Sequence, residues 1–211
     1  MTHLGVIVLA GGTGERLGRT DKGALQVDGV SLLDGVLQAT SAAVRTVVVG
    51  EPRPTVRAVE WTREEPPGTG PLAGLLAGVE VLDPETTPLT GVFATDLTAL
   101  GVADVGRLVD ALRANPEADA ALFVDADGYR QPLAAVYRTV TLATTLRSLQ
   151  PLPGLPMRAL AKELTLVEVP DLGASADCDT PEQLAALRAR SPRSSRSTSS
   201  SCSASSSRSE G

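Results

Sequence analysis

Short apolar runs alternate with longer segments of helical hydrophobic spacing along most of the chain. The runs are rich in β-branched residues and almost continuously apolar, which predicts strands that are buried on both faces. The predicted strands span residues 5–9, 45–50, 90–94, 119–124 and 165–169. The predicted helices span residues 31–43, 71–82, 102–114, 139–149 and 181–190. Strands that alternate with helices indicate an α/β fold with a mostly parallel sheet and helices on both faces.

The composition changes abruptly after residue 190. Before that point Thr180 can cap the helix over residues 181–190, and Pro181 suits its first position. Residues 191–211 contain 12 serines and no apolar face to bury, so we expect them to be disordered. The chain is therefore predicted to be one domain over residues 1–190, followed by a Ser/Arg-rich tail over residues 191–211.

Charge, aromatic content and the supply of metal ligands exclude several classes of function. A net charge of −6 and only five aromatic residues argue against a nucleic-acid-binding protein, which usually carries a basic surface and stacking rings. His3, Cys178 and Cys202 are the only histidine and cysteines, which excludes most zinc sites, a disulfide framework and a Ser-His-Asp hydrolase. Any metal must therefore be held by carboxylates, which suits Mg²⁺.

The chain also lacks the usual sequence signals of membrane insertion and secretion. No run approaches the roughly 18 consecutive apolar residues of a membrane span, and the first residues lack the basic segment of a secretory signal. We expect a cytoplasmic monomer or small oligomer that acts on small molecules and has no membrane or nucleic-acid partner.

A glycine-rich loop with two cations follows the first predicted strand, within the sequence VIVLAGGTGERLGRTDKGAL of residues 6–25. Glycines let backbone N–H groups approach phosphate oxygens, and Arg16 and Lys22 can neutralise phosphate charge. The glycines concerned are Gly11, Gly12 and Gly14. Open α/β sheets bind ligands where their strands end, so a loop directly after the first strand is well placed to bind the triphosphate group of a nucleotide. The alternative is a glycine-rich turn with solvated charges.

The spacing of this loop excludes two familiar phosphate-binding motifs. A dinucleotide fingerprint that starts at Gly12 would need a glycine where Leu17 stands. A P-loop would need glycine at that position and lysine in place of Gly18. The failed spacing argues against a Rossmann-type oxidoreductase.

Two later segments follow predicted strands with acidic side chains. Asp96, in VFATDLTAL, is placed where a carboxylate can hold Mg²⁺ against a triphosphate, and the alternative role is a helix N-cap. Residues 125–128, Asp-Ala-Asp-Gly, predict a turn of the kind found in hairpins.

The run LAGG, followed by Arg16, Gly18 and the pair Asp21-Lys22, resembles the opening signature of the nucleotidyltransferase family that includes the molybdenum cofactor guanylyltransferases. The resemblance implies a Rossmann-like nucleotide-diphospho-sugar transferase fold. It also implies transfer of a nucleoside monophosphate from an NTP to a phosphorylated acceptor, with release of pyrophosphate. Arg16 and Lys22 are then the expected catalytic residues. The expected nucleotide contacts of the first loop are Leu9, Ala10, Gly11, Gly12, Gly14 and Lys22.

The segment GTGPLAGLLAGV, residues 68–79, resembles the GPLAG motif that lines the base and nucleotide pocket of the same enzymes. The resemblance adds Gly70, Pro71 and Leu72 to the expected nucleotide contacts. Glu64 and Glu65 stand where relatives often carry an acid that accepts a hydrogen bond from the base. The alternative for this acidic pair is a solvated position before a helix.

The resemblance also suggests the remaining metal ligands. Relatives often carry Asn-x-Asn or Asp-x-Asp before Thr-Pro, so Asp177 or Asp179 is expected to complete a Mg²⁺ site with Asp96. Alternatively, Asp179 only supports the start of the last helix. The chain lacks the proline that relatives place after the first aspartate, which leaves a non-catalytic nucleotide-binding protein as a second hypothesis.

Arg130, Gln131 and Pro132 resemble the segment that runs past the acceptor substrate, and Arg158 could contribute a further phosphate contact. The closest general resemblance is to transfer of GMP onto molybdopterin. Relatives with the same opening signature use CTP, or act on sugar phosphates or on phospholactate-like acids, and these remain alternatives.

Overall fold

The computed structural model describes residues 3–11, 25–27 and 29–175. Its strands are Leu4–Leu9 (β1), Gln26–Val27 (β2), Val30–Ser31 (β3), Arg45–Val49 (β4), Glu60–Thr62 (β5), Leu89–Ala94 (β6), Ala120–Val124 (β7), Arg130–Arg138 (β8) and Leu166–Pro170 (β9). Its helices are Leu32–Ala39 (α1), Pro71–Val79 (α2), Val102–Ala114 (α3), Thr139–Ser148 (α4) and Met157–Lys162 (α5). No helix within these described ranges has the length and apolar character needed to cross a membrane. The predicted helix 181–190 and the predicted tail lie outside them.

Seven strands form one mixed sheet in the order β5-β4-β1-β6-β8-β7-β9. β1 is parallel to both of its neighbours, and Ile7 lies between Val47 of β4 and Val92 of β6. β8 runs antiparallel to β6 and β7, whereas β7 and β9 are parallel. The predicted mostly parallel sheet is therefore confirmed, with one strand reversed among those described.

Successive side chains of the central strand enter two separate cores. Val6 and Val8 pack with α1 and α3 on one face of the sheet, and Ile7 and Leu9 pack with α2, α4 and α5 on the other. All six residues of β1 are buried, as the continuous apolar pattern predicts. Burial of a Val, Leu or Ile side chain contributes about 1.5–3 kcal/mol to stability. The apolar side chains of β1 therefore stabilise the strand that precedes the glycine-rich loop.

Helix α2 rests directly on β1 and β4 because glycines face the sheet. A Cβ atom added at Gly78 would lie 2.8 Å from Cγ2 of Ile7 and 3.1 Å from Cγ2 of Val49. One added at Gly74 would lie 3.3 Å from Cγ1 of Val49 and 3.7 Å from Cδ2 of Leu9. The close approach places the first turn of α2 beside the end of β1.

The sequence analysis does not predict β5, β8, α5 or the hairpin of β2 and β3. β8 starts with Arg130, Gln131 and Pro132, so its first residues lack the apolar run on which strand prediction depends. β5 has only three residues, at the edge of the sheet. The reversal of β8 matters for function because its start, and not its end, lies where the parallel strands end.

Candidate active site

One edge of the sheet collects many of the residues that are predicted to bind substrates. The strands that run parallel to β1 end there, and β8 begins there. Ala10 and Gly11 follow β1, Asp96 lies two residues beyond β6, and Asp125 directly follows β7. Ligands of open α/β sheets bind outside this edge, so the strand order alone brings the candidates together.

Hydrogen bonds from neighbouring strands fix the backbone where the glycine-rich loop leaves β1. The N–H of Ala10 donates to the carbonyl of Val49 over 2.8 Å, and the N–H of Gly50 donates to the carbonyl of Thr62 over 2.9 Å. Gly50 has a φ of +152°, and a Cβ atom there would lie 3.2 Å from the carbonyl carbon of Ala10. Gly11 is exposed. Four predicted residues of the loop lie outside the described residues: Gly12, Gly14, Arg16 and Lys22.

The start of α2 supplies the second predicted nucleotide contact. Gly70, with a φ of +110°, precedes the helix, and among the described residues no side-chain cap is seen at its first N–H groups. Pro71 occupies the first turn and is exposed. Leu72 and Leu9 are 0% and 8% exposed, so both residues belong to the core, and their contact with a nucleotide stays a prediction. Uncapped N–H groups at a helix start favour phosphate oxygens.

A groove of about 600 Å³ runs along the outer face of α2 and is bordered by Glu64, Glu65 and Thr69. Oε1 of Glu64 accepts a hydrogen bond from the N–H of Gly68 over 2.8 Å, so this carboxylate stabilises the turn before α2. Within the described residues, the hydroxyl of Thr69 is a buried oxygen without a hydrogen-bond partner. Glu64 is therefore more than a solvated charge, although its role toward a base stays a prediction.

Asp96 is half-buried and follows the buried residue Thr95. The antiparallel register of β6 and β8 pairs Phe93 with Ala134. β6 ends at Ala94, so Asp96 lies two residues beyond it, and the neighbouring strand β8 begins at Arg130, one residue before Gln131. The candidate metal ligand and a candidate acceptor residue thus lie on neighbouring stretches of chain.

Carboxylate oxygens are the metal ligands that this edge offers. Asp96 stands there, and hard cations such as Mg²⁺ prefer such oxygens, whereas both oxygens of Asp125 accept hydrogen bonds within its turn. Among the residues the structure describes, no three His, Cys, Asp or Glu side chains cluster closely enough to hold a metal. Asp177 and Asp179, which are predicted to complete the site, lie outside the described residues. A cation at Asp96 therefore fits the chemistry of the edge but needs further ligands from elsewhere or from nucleotide phosphates.

A tight turn joins β7 to β8, which confirms the turn predicted from residues 125–128. Oδ1 of Asp125 accepts hydrogen bonds from the N–H groups of Asp127 and Tyr129, over 3.0 and 2.9 Å, and Gly128 has a φ of +84°. Oδ2 of the same carboxylate accepts a hydrogen bond from Nε2 of Gln131 over 2.9 Å. The turn thus holds a side chain of the following strand.

The other predicted acceptor residues have different surroundings. Arg130 forms an ion pair with Glu168 of β9 at 2.7 Å, and both side chains are about half exposed. The carbonyl of Pro132 accepts a hydrogen bond from the hydroxyl of Tyr137 over 2.7 Å. Burial raises the pKa of Tyr137 far above its usual range, so this hydroxyl stays a donor. Arg158 lies exposed in α5.

The chain beyond β9 turns around the carboxylate of Asp171. That carboxylate accepts hydrogen bonds from the N–H groups of Gly173 and Ala174, over 3.0 and 2.7 Å, and from the hydroxyl of Ser175 over 2.6 Å. Partial burial raises the pKa of Asp171, but the hydrogen bonds outweigh it and leave the pKa below its usual value. The turn ends two residues before Asp177.

Three residues stabilise the local structure of the site through hydrogen bonds, but the sequence analysis assigns them no substrate role: Asp125, Tyr137 and Asp171. Asp125 is predicted only as part of a turn, and the glutamine six residues later gives no sign that the two side chains meet. Tyr137 stands within an apolar run and resembles any core aromatic residue. Asp171, which precedes Leu-Gly-Ala-Ser, carries the one usable signal, because aspartate before glycine and serine favours a local turn.

Comparison with known sequences gives a consistent result. The family model for the MobA-like NTP transferase domain matches residues 6–167. A probable molybdenum cofactor guanylyltransferase from Opitutus terrae is 37% identical over 147 residues, which are 68% of this chain and 70% of that protein.

Solved structures show the same architecture. Molybdopterin-guanine dinucleotide biosynthesis protein A from Archaeoglobus fulgidus matches with a TM-score of 0.68 and 22% identity, over 88% of this chain and 97% of that chain. The 2-C-methyl-D-erythritol 4-phosphate cytidylyltransferase from Thermus thermophilus matches with a TM-score of 0.66 and 18% identity, over 87% and 96%. At these identities the likeness concerns the fold alone, and it confirms the Rossmann-like nucleotidyltransferase fold.

Proposed function

Because the chain belongs to the family of MobA-like NTP transferase domains, we propose that it transfers GMP from GTP to a phosphate of molybdopterin and releases pyrophosphate. It is a nucleotidyltransferase similar to the molybdenum cofactor guanylyltransferases. The choice of GTP and molybdopterin rests on one observation, the similarity to the relative from Opitutus terrae that carries that name.

The nucleotide lies across the end of β1 and the start of α2. Backbone N–H groups of Gly11, Gly12 and Gly14 cradle the phosphates, and the first turn of α2 adds further donors. The support for this placement is geometric, because Gly74 and Gly78 hold that first turn against Leu9 and Val49. Glu64 contributes an acceptor for an N–H group of the base while its other oxygen keeps the turn closed.

The reaction needs no covalent intermediate. The acceptor phosphate attacks the α-phosphorus in line, and pyrophosphate leaves, so the protein positions the reactants and neutralises charge. Arg16 and Lys22 stabilise the charge that shifts toward the leaving group. Asp96, with Asp177 or Asp179, holds Mg²⁺, which supplies phosphate charge neutralisation when it is bound.

The acceptor approaches from the start of β8, where Arg130, Gln131 and Pro132 line its path. A phosphate that reaches Arg130 must replace the ion pair with Glu168. That pair is about half exposed, and exposed pairs contribute about 0–1 kcal/mol, so the replacement costs little. Gln131 lies in β8 and Asp96 just beyond β6, and these two strands are neighbours, which supports an acceptor site and a metal site at the same edge of the sheet.

The test is release of pyrophosphate from GTP, CTP, ATP and UTP, each with and without molybdopterin and with and without Mg²⁺. The proposal expects release with GTP, molybdopterin and Mg²⁺ together. Asp96→Asn should lose this release, whereas Asp110→Asn, at an exposed position of α3, should keep it. Release with CTP instead would indicate a cytidylyltransferase, and binding of a nucleotide without any release would indicate a non-catalytic protein.

A further inference from the structure

The carboxylate of Asp125 determines which way the side-chain amide of Gln131 faces. Its Oδ1 is occupied by the N–H groups of Asp127 and Tyr129, and its Oδ2 lies 2.9 Å from Nε2 of Gln131. An ionised carboxylate only accepts hydrogen bonds, so the nitrogen of the amide, and not its oxygen, must face it. The carbonyl oxygen Oε1 of Gln131 is therefore turned away from Asp125 and offers an acceptor to another molecule.

β8 is irregular immediately after Gln131. β7 pairs Phe123 with Gln131 and the adjacent residue Leu122 with Ala135, so residues 132–134 have no partner on β7. Bulges of this kind redirect side chains and are frequent beside active sites. The hydroxyl of Tyr137 satisfies the carbonyl of Pro132 inside the bulge, which keeps the distortion in one conformation.

We infer that Asp125 is a positioning residue that presents the carbonyl oxygen of Gln131 to a hydrogen-bond donor of the acceptor substrate. The acceptor is then a phosphorylated molecule with an N–H or O–H group near the phosphate-transfer site. Asp125 acts only through Gln131 and the turn, and it does not contact the reacting atoms. This inference rests on the proposed function, since it assigns recognition within the same site.

The substitution Asp125→Asn tests this arrangement with little change in shape. The oxygen of the new amide still accepts from Asp127 and Tyr129, but its nitrogen now faces Gln131. The amide of Gln131 must rotate to offer its oxygen inward, so it presents N–H groups to the acceptor. The KM for molybdopterin should rise about tenfold, as expected for one lost hydrogen bond, while the KM for GTP stays unchanged.

Two further variants separate positioning from folding. Asp127→Asn changes an exposed carboxylate of the same turn and should leave both KM values as they are. Gln131→Leu removes the recognised oxygen directly, so it should raise the KM for molybdopterin as much as Asp125→Asn does, and combining the two changes should add little. Thermal unfolding of each variant shows whether the turn is intact.

The outcomes distinguish this inference from the proposed function. If the wild-type protein releases pyrophosphate but Asp125→Asn has the KM values of Asp127→Asn, the inference is wrong and the proposed function stands. If Gln131→Leu leaves the KM for molybdopterin unchanged, the oxygen of residue 131 is not the recognised group. If titration calorimetry detects no binding of molybdopterin to the wild-type protein, both proposals are wrong.

Discussion

The hydroxyl group of Tyr137 donates a hydrogen bond to the carbonyl oxygen of Pro132, five residues earlier in the same strand. Tyr137 is 1% exposed, so its ring belongs to the core while its hydroxyl reaches the irregular start of β8. The contact links the hydrophobic interior to the segment where the acceptor is proposed to bind.

Tyr137→Phe removes that donor and leaves the ring in place. The carbonyl of Pro132 then loses its partner, and an unsatisfied group of this kind costs about 1–3 kcal/mol. We expect a loss of this size in the free energy of unfolding, measured with urea. Tyr129→Phe removes the hydroxyl of an exposed tyrosine and should change the same free energy by less than about 0.5 kcal/mol. Equal effects of the two changes would show that the contact is not stabilising.

Gly78→Ala should force α2 away from the sheet. The added methyl group would lie 2.8 Å from Cγ2 of Ile7, and overpacking of this kind costs about 1–3 kcal/mol. Gly106→Ala, in α3, meets no atom within 4 Å and should instead stabilise the protein by about 0.5–1 kcal/mol, because alanine favours the helix. Thermal unfolding of both variants measures the two effects, and two shifts in the same direction would contradict the close packing of α2.

Lys22→Ala should lower turnover about 10²- to 10³-fold if this lysine stabilises the transition state. Stability should change little, because the proposed role is in catalysis. Arg113→Ala, at an exposed position in the last turn of α3, removes a cation from a helix that has no proposed substrate role and serves as the control. Steady-state pyrophosphate release measures both variants, and unimpaired turnover of Lys22→Ala would remove this residue from the mechanism.

Asp171 should make folding stability depend on pH in acid. Its pKa is lowered in the folded protein, so its contribution is present above the unfolded value of about 3.9 and is lost as the pH falls through the folded value. Urea unfolding at a series of pH values should show Asp171→Asn to be less stable than wild type at pH 7. The difference should shrink below pH ~3.9. Asp110→Asn, on the exposed face of α3, should show no such trend.

The regular parts of the fold follow from sequence patterns that depend only on local spacing. α3 is predicted with the bounds that it has, Val102–Ala114, because its apolar residues recur at helical spacing. β1 is predicted because it is apolar throughout. β8 is not predicted as a strand, because a segment that starts with Arg130 and contains Pro132 has the composition of a loop. Its strand conformation becomes evident only from its pairing with the strands on both sides.

The candidate site likewise has features that the sequence predicts and features that it does not predict. The positions of Ala10 and Asp96 at one edge follow from the order of strands and the loops after them. The hydrogen bond between Asp125 and Gln131 does not, because it depends on a turn and on a bulge that shifts the register of two strands. No pattern along the chain records that shift, because it results from pairing between strands.

The hairpin of β7 and β8 is held within the sheet by β6 on one side and by β9 on the other. Its turn can therefore change in sequence while the strands beneath it stay in place. The glycine-rich loop follows β1, which lies on the far side of β6 from that hairpin. Under the proposed function, the nucleotide and the acceptor therefore bind to separate parts of the sheet, and a change in the hairpin would alter the acceptor site without altering β1.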